Sequence, residues 1–185
     1  MEESLSLEQE SAANQGAEFS GYFAVSTTKF IVMSVCTLGL YEVFWFYKNW
    51  QRVKEKTGAQ MMPFWRAVFA PLWAYVLFDH LRDQLKELHI TSTLVAGAWA
   101  LLYLAFQVLS QFEAPVGLLA ILSFSALLPA NAAMSRINAV QQPPVELNDK
   151  IQGWNWLAVA LGGVFYLMLA LALFGPGDMA PAQRI

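Results

Sequence analysis

The chain has 185 residues, of which 57% are hydrophobic and only 14% charged, with a formal net charge of −3. A soluble domain of this length needs far more charge to cover its surface, so the composition excludes a soluble enzyme, a disordered chain and a disulfide scaffold. It points to a membrane protein.

The first 28 residues hold five acids (Glu2, Glu3, Glu8, Glu10 and Glu18) and no base. Rich in Ser, Gln and Glu, residues 1–21 cannot bury a core and are expected to form an acidic, disordered tail. No basic stretch precedes the first apolar run, so a secretory signal is not expected. Residues 22–177 are expected to form a single helical membrane domain, followed by a short tail at 178–185.

The first two apolar runs are short. Run 30–41 lies between Lys29 and Glu42, and run 67–78 between Arg66 and Asp79, each 12 residues long. Twelve residues make about 18 Å of helix, well short of a ~30 Å hydrocarbon core. Gly39 can break or bend the first, and Pro71 interrupts the second. Between them Val43, Phe46, Tyr47, Trp50 and Val53 recur on one helical face, with Lys48, Arg52 and Lys56 opposite. A basic polar face and an aromatic apolar face describe a helix lying in the headgroup layer. Lys48, Trp50, Arg52 and Lys56 are then interfacial lipid contacts, serving either as an anchor or as a specific lipid-binding surface. Thr57 and Gly58 make a suitable C-cap.

A second stripe, Phe78, Leu81, Leu85 and Leu88, carries Asp79, Arg82, Asp83, Lys86 and Glu87 on its other side, as in a helix packed on the cytoplasmic surface. His80, Asp83 and Glu87 share a face of it, but such trios are common on charged helices and no metal is expected. Runs 90–112, 114–135 and 151–177 contain 23, 22 and 27 residues without charge. Each is long enough to cross, and the short connections between them favour antiparallel neighbours. Ser123, Ala126, Ala130 and Ala133 give one small-residue face, and Ala158 with Gly162 another. Such faces permit close helix contact, within the bundle or across a homo-oligomer seam. Asn131, Arg136 and Asn138 are expected to end their helix. Trp45, Trp50, Trp65, Trp154 and Trp156 lie near the ends of apolar runs, as in an aromatic belt.

The positive-inside rule discriminates between topologies. Five full spans place six bases on one side and five on the other. A re-entrant 67–78 segment improves this to nine against two, and two early segments that both fail to cross give ten against one. The expected fold is therefore an all-α, polytopic helical membrane protein. It has four transmembrane helices (three to five) and a short re-entrant or interfacial helix near the N-terminus. Residues 48–93 and 131–153 lie on the cytoplasmic side.

Glu42 is the residue with the strongest claim to chemistry, since a carboxylate within a bilayer is a functional-site hypothesis by default. It sits at the interface where the hydrocarbon ends near Leu40, or it forms an intramembrane ion pair with Arg66 that holds the two short segments together. Cys36 is the only cysteine, so neither a disulfide nor a CxxC site exists. No phosphate loop, zinc motif or nucleophile elbow occurs, so no enzyme, cofactor, metal or nucleic-acid partner is expected.

The stretch TLGLYEVFWFYKNW (37–50), followed by PFWRAVFAPLW (63–73), resembles the signature of an uncharacterised family of small bacterial multi-span membrane proteins, a domain of unknown function. The resemblance covers roughly residues 22–175, with its specific part in 22–78. It implies a multi-helix fold in the bacterial cytoplasmic (inner) membrane and no particular activity. The expected role is a non-catalytic scaffold or partner subunit, with the lipid bilayer and a membrane protein or second copy as partners. The alternative is a small permease or lipid-handling protein that uses the Glu42/Arg66 region.

Overall fold

The computed structural model describes residues 21–113, 116–145, 147–150 and 153–174, excluding the side chains of 154 and 172–174. The acidic stretch 1–20 and the expected C-terminal tail lie outside the described residues. Helices dominate: α1 (Thr27–Cys36), α2 (Leu40–Thr57), α3 (Pro63–Val68), α4 (Ala70–Glu87) and α5 (Ala96–Leu109). A 3-10 segment (Val116–Ser123), α6 (Phe124–Ala139) and α7 (Gly153–Phe174) follow. The all-α expectation holds. One stretch, Val116–Ala139, is long and apolar enough among the described residues to cross a membrane.

The first apolar run does not continue into α2. It stops at Cys36 and turns back through Thr37, Leu38 and Gly39. Leu38 and Gly39 have φ of 53° and 87°, and the amides of Leu38 and Gly39 donate to the carbonyls of Val35 (3.1 Å) and Ser34 (2.9 Å). These two bonds satisfy the last carbonyls of α1 in a Schellman closure. Thr37 Oγ1 then accepts the Tyr41 amide at 2.9 Å, capping α2 from outside. Helices α1 and α2 thus form a hairpin with Glu42 one turn past its tip. At its other end α2 closes on Gly58, whose φ is 63° and whose amide donates to Lys54 O, as the Thr57 and Gly58 pair predicts.

Pro71 acts as expected, though its effect falls two residues upstream. It cannot donate to the carbonyl of Ala67 and its ring would clash there, so the chain breaks at Phe69 (φ −97°, ψ 35°) and restarts with Pro71 in the first turn of α4. Leu88 is 43% exposed despite its place on the apolar stripe, because α4 ends one residue earlier.

Side-chain contacts set the helix directions. Along α6, Ser123 reaches Glu42 (2.7 Å), Asn131 reaches Trp45 (3.2 Å), and Asn138 holds Tyr22 next to the Asn49-bound Phe23. Helices α2 and α6 therefore run the same way. Gln84 of α4 meets the Tyr22 hydroxyl, while Ala70 and Pro71 lie at the opposite end beside Leu40 and Val43, so α4 is parallel to both. Helix α5 runs against them, with Tyr103 on Phe46 (5.5 Å between centroids). The small-residue face predicted on α6 is inside the bundle: Ser123, Ala126, Ala130 and Ala133 are 3% exposed or less. Gly162 lets α7 dock on the end of α1, where an added Cβ would lie 2.2 Å from the Cys36 carbonyl oxygen. Tyr166 adds a 2.9 Å hydrogen bond to Val35 O.

Candidate functional site

Two groups of buried polar side chains stand out. The first lies around residues 21–26, an extended segment threaded into the helical interior. Extended backbone among helices leaves its amides and carbonyls without intrinsic partners, and each unsatisfied buried group costs about 1–3 kcal/mol. Three buried asparagines supply the partners. Asn138 Oδ1 accepts the Tyr22 amide and its Nδ2 donates to Tyr22 O, both at 2.8 Å. Asn49 does the same for Phe23 at 2.9 and 3.4 Å. Asn131 does so for Val25 at 3.0 and 2.6 Å, and accepts the Trp45 indole N–H as well.

The residue between, Ala24, receives the Asn148 amide on its carbonyl at 3.1 Å. Asn148 and Lys150 belong to a strap that crosses the segment. Lys29, itself 3% exposed, fastens the strap by donating to Asn148 Oδ1 and Lys150 O, both at 2.6 Å. Gly21 belongs to this clasp and not to the tail: its φ is 75°, and an added Cβ would fall within 2.9 Å of Val145 and Asn138. Asn131 and Asn138 thus clamp backbone; the helix does end just after Asn138, at Ala139, as expected, but Asn131 lies in its middle. Spacing offered no signal for this, since the bonded partners are 106 and 116 residues apart.

The second group surrounds Glu42, at the opposite end of α2. The side chain is 1% exposed. Its Oε1 accepts the Ser123 hydroxyl at 2.7 Å, and Tyr103 faces the same carboxyl. Its Oε2 has no hydrogen-bond partner among the described residues. Ser123 and Tyr103 also line a cleft of about 480 Å³, walled by residues such as Leu40, Val43, Val68, Ile121 and Phe165, with Gln107 and Ser110 as further polar groups. The cleft lies at the tip of the α1–α2 hairpin, where Gln107 and Ser110 from the end of α5 and Phe165 and Leu169 of α7 complete its wall.

Arg66 is not part of this group. Its guanidinium lies in the corner made by the perpendicular rings of Trp50 and Trp73, 4.5 and 4.4 Å from their centroids. No Glu42–Arg66 ion pair occurs among the described residues. The expectation of such a pair is therefore corrected: two aromatic rings neutralise nothing but stabilise a poorly hydrated guanidinium by cation–π attraction.

Trp50 is corrected in the same way. It is 1% exposed and stacks edge-on against Trp73 at 6.5 Å, so it is core and not a lipid contact. With Phe46 and Val53 it turns the apolar face of α2 into the bundle. The opposite face keeps its cations at or near the surface. Lys48 is half-buried, 5.8 Å from the Phe44 ring centroid. Arg52 pairs with Glu55 at 3.0 Å, and Lys56 is exposed.

On α4, Asp83 accepts from Lys86 and Arg82, both at 3.2 Å. These bonds hold its carboxyl below the usual range. Comparison with known protein families, with curated proteins and with solved structures finds no match for the chain.

Proposed function

We propose that the protein is a multi-pass membrane protein of the bacterial inner membrane that works as a non-catalytic scaffold or partner subunit. Uncovered apolar surface carries this reading. Leu157, Leu161, Val164, Leu167, Met168 and Leu171 of α7 are each about half exposed or more, so α7 touches the bundle along one seam and presents hydrocarbon elsewhere. Its 22 residues make about 33 Å of helix, enough to cross. A second apolar ridge runs along α3 and the start of α4, through Phe64, Trp65, Phe69 and Leu72. Surface of this extent needs lipid or a partner to cover it.

In this reading α5, the 3-10 segment with α6, and α7 are the full spans. The α1–α2 and α3–α4 units enter from the cytoplasmic face and return to it. Ten bases (Lys29 through Lys150) then share one side, against Arg184 on the other, in keeping with the positive-inside rule. The non-catalytic role draws on the use made of the buried asparagines, which satisfy backbone and do not converge on an open site.

Topology is tested by replacing Cys36 with Ala and introducing single cysteines at the exposed positions Gln60, Thr93, Gln142 and Gln111. The first three are expected to label from one side of sealed membranes and Gln111 from the other. Labelling of Gln60 and Thr93 from opposite sides overturns the two-hairpin arrangement. For the scaffold role, a specific co-purifying membrane protein or a stable homo-oligomer in mild detergent is expected; a strictly monomeric, partner-free protein overturns it. A lipid-handling role is the second reading, and the cleft beside Glu42 favours it.

A further inference from the structure

We propose that the cleft beside Glu42 binds an amphiphilic amine, seating the ammonium at the Ser123 and Tyr103 edge, toward the Glu42 carboxyl behind them, and the apolar body against the Leu40, Val43, Ile121 and Phe165 wall. The inference rests on the membrane reading above but not on the scaffold role. Three observations converge on it. The cleft, about 480 Å³, falls in the range of small-molecule sites, and like them it pairs a mostly apolar lining with a few polar groups. Glu42 stands behind that lining and not in it, 1% exposed; the hydroxyls of Ser123 and Tyr103, which do line the cleft, face its carboxyl, and Oε2 is left without a well-formed hydrogen bond. And among the described residues no cation pairs with it, Arg66 being held on the rings of Trp50 and Trp73.

A carboxyl taken out of water ionises only with a counter-charge and donors for its lone pairs close by. An organic ammonium supplies both, and Tyr103, Gln107 and Ser110 offer further hydrogen-bonding positions along the wall. Other ligand classes fit less well. Divalent cations of the hard type take six or more oxygens, and no group of three metal-ligating side chains occurs among the described residues. Carboxylates and phosphates would meet a like charge. A bare acyl chain would use the apolar wall and leave Oε2 as it is. Access is supplied by the short hairpin: Leu38, Leu40 and Val68 at the mouth are 47%, 74% and 44% exposed, so an amphiphile dissolved in the bilayer meets an apolar rim before the buried carboxyl.

The test uses the full chain in phosphatidylcholine nanodiscs, with tritiated phenylbutylamine as probe and phenylbutanol as its neutral counterpart. Saturable amine binding is expected, with the alcohol competing about tenfold or more less effectively, the lower range of coupling for close charge pairs. Glu42→Gln is expected to lower amine affinity by about the same factor and to leave that of the alcohol unchanged. Should Glu42→Gln fail to fold, Ala120→Trp, which fills the cleft and keeps the carboxyl, is expected to abolish binding of both probes. Equal competition by amine and alcohol, undiminished amine binding to folded Glu42→Gln, or undiminished binding to Ala120→Trp each overturns the proposal. Absence of saturable binding in protein whose cysteine labelling is as expected overturns the amine site alone; aberrant labelling overturns the membrane reading beneath it.

Discussion

The two ends of α2 bury polar groups for opposite purposes. At the Asn49 end, three carboxamides meet an extended backbone, and every amide and carbonyl contact has a named partner between 2.6 and 3.4 Å. At the Glu42 end, one carboxyl has the Ser123 hydroxyl on Oε1, the Tyr103 hydroxyl facing it, an Oε2 without a well-formed hydrogen bond and an open cleft in front of those two hydroxyls. Buried polarity that is fully satisfied fixes a fold. Buried polarity left incomplete next to a cavity is available to a ligand. The difference is one of stoichiometry: carboxamides carry donor and acceptor together and can close on a peptide unit, whereas a carboxylate only accepts.

Substitutions can break this contrast. The largest effect is expected for Asn131→Leu, which strips partners from the Val25 amide and carbonyl and from the Trp45 indole at once. At about 1–3 kcal/mol per orphaned group, the loss is enough to empty the membrane of folded protein, read as abundance and detergent-solubilised melting. Asn138→Ala, with two groups orphaned, is expected to cost about 2–5 kcal/mol and to release residues 21–25 to proteolysis. Gly162→Val is next. The added side chain meets the Cys36 carbonyl, and overpacking of this kind costs about 1–3 kcal/mol. Cys36 should react faster with a membrane-permeant maleimide as α7 lifts away.

Gly39→Ala is expected to fall between Glu42→Gln and Gly162→Val. Nothing lies within 4 Å of its Cβ position, so only the left-handed backbone at φ 87° resists, at about 1–2 kcal/mol. Glu42→Gln is expected to be close to neutral in stability, since the amide keeps the Ser123 contact and removes a buried acid. A melting temperature lowered as far as that of Asn138→Ala would erase the distinction between the two ends.

Much of the fold was legible in the sequence because it rests on local rules. Gly58 ended α2, Pro71 broke the chain, charge gaps located α5 to α7, and the small residues of α6 marked its buried face. The candidate site was half legible. Glu42 stands out through its position in an apolar stretch, but charge alone could offer only a simple interfacial position or a pair with Arg66. Arg66 went to two tryptophans, and cation–π pairing leaves no spacing signature across residues 50, 66 and 73. The face of α2 misled for a related reason: an aromatic stripe opposite lysines looks the same whether it faces headgroups or a protein core, and Trp50 was decided by tertiary packing. The asparagine clasp was invisible, since Asn131 and Asn138 near a helix end are unremarkable until residues 22–25 are placed against them.

That clasp also imposes an order on the protein's birth. Tyr22 and Val25 leave the ribosome more than a hundred residues before the side-chain amides that receive them, at 138 and 131, and the strap that closes over them reaches Lys150. Until synthesis has passed those positions, the opening segment has nowhere to dock, and its bare peptide groups must stay in water or in the care of the insertion machinery. A chain truncated before Asn131 is thus expected to lack more than its last helices. It would be unable to seat its first residues, and a cell could tell finished copies from unfinished ones by whether that early segment is still accessible.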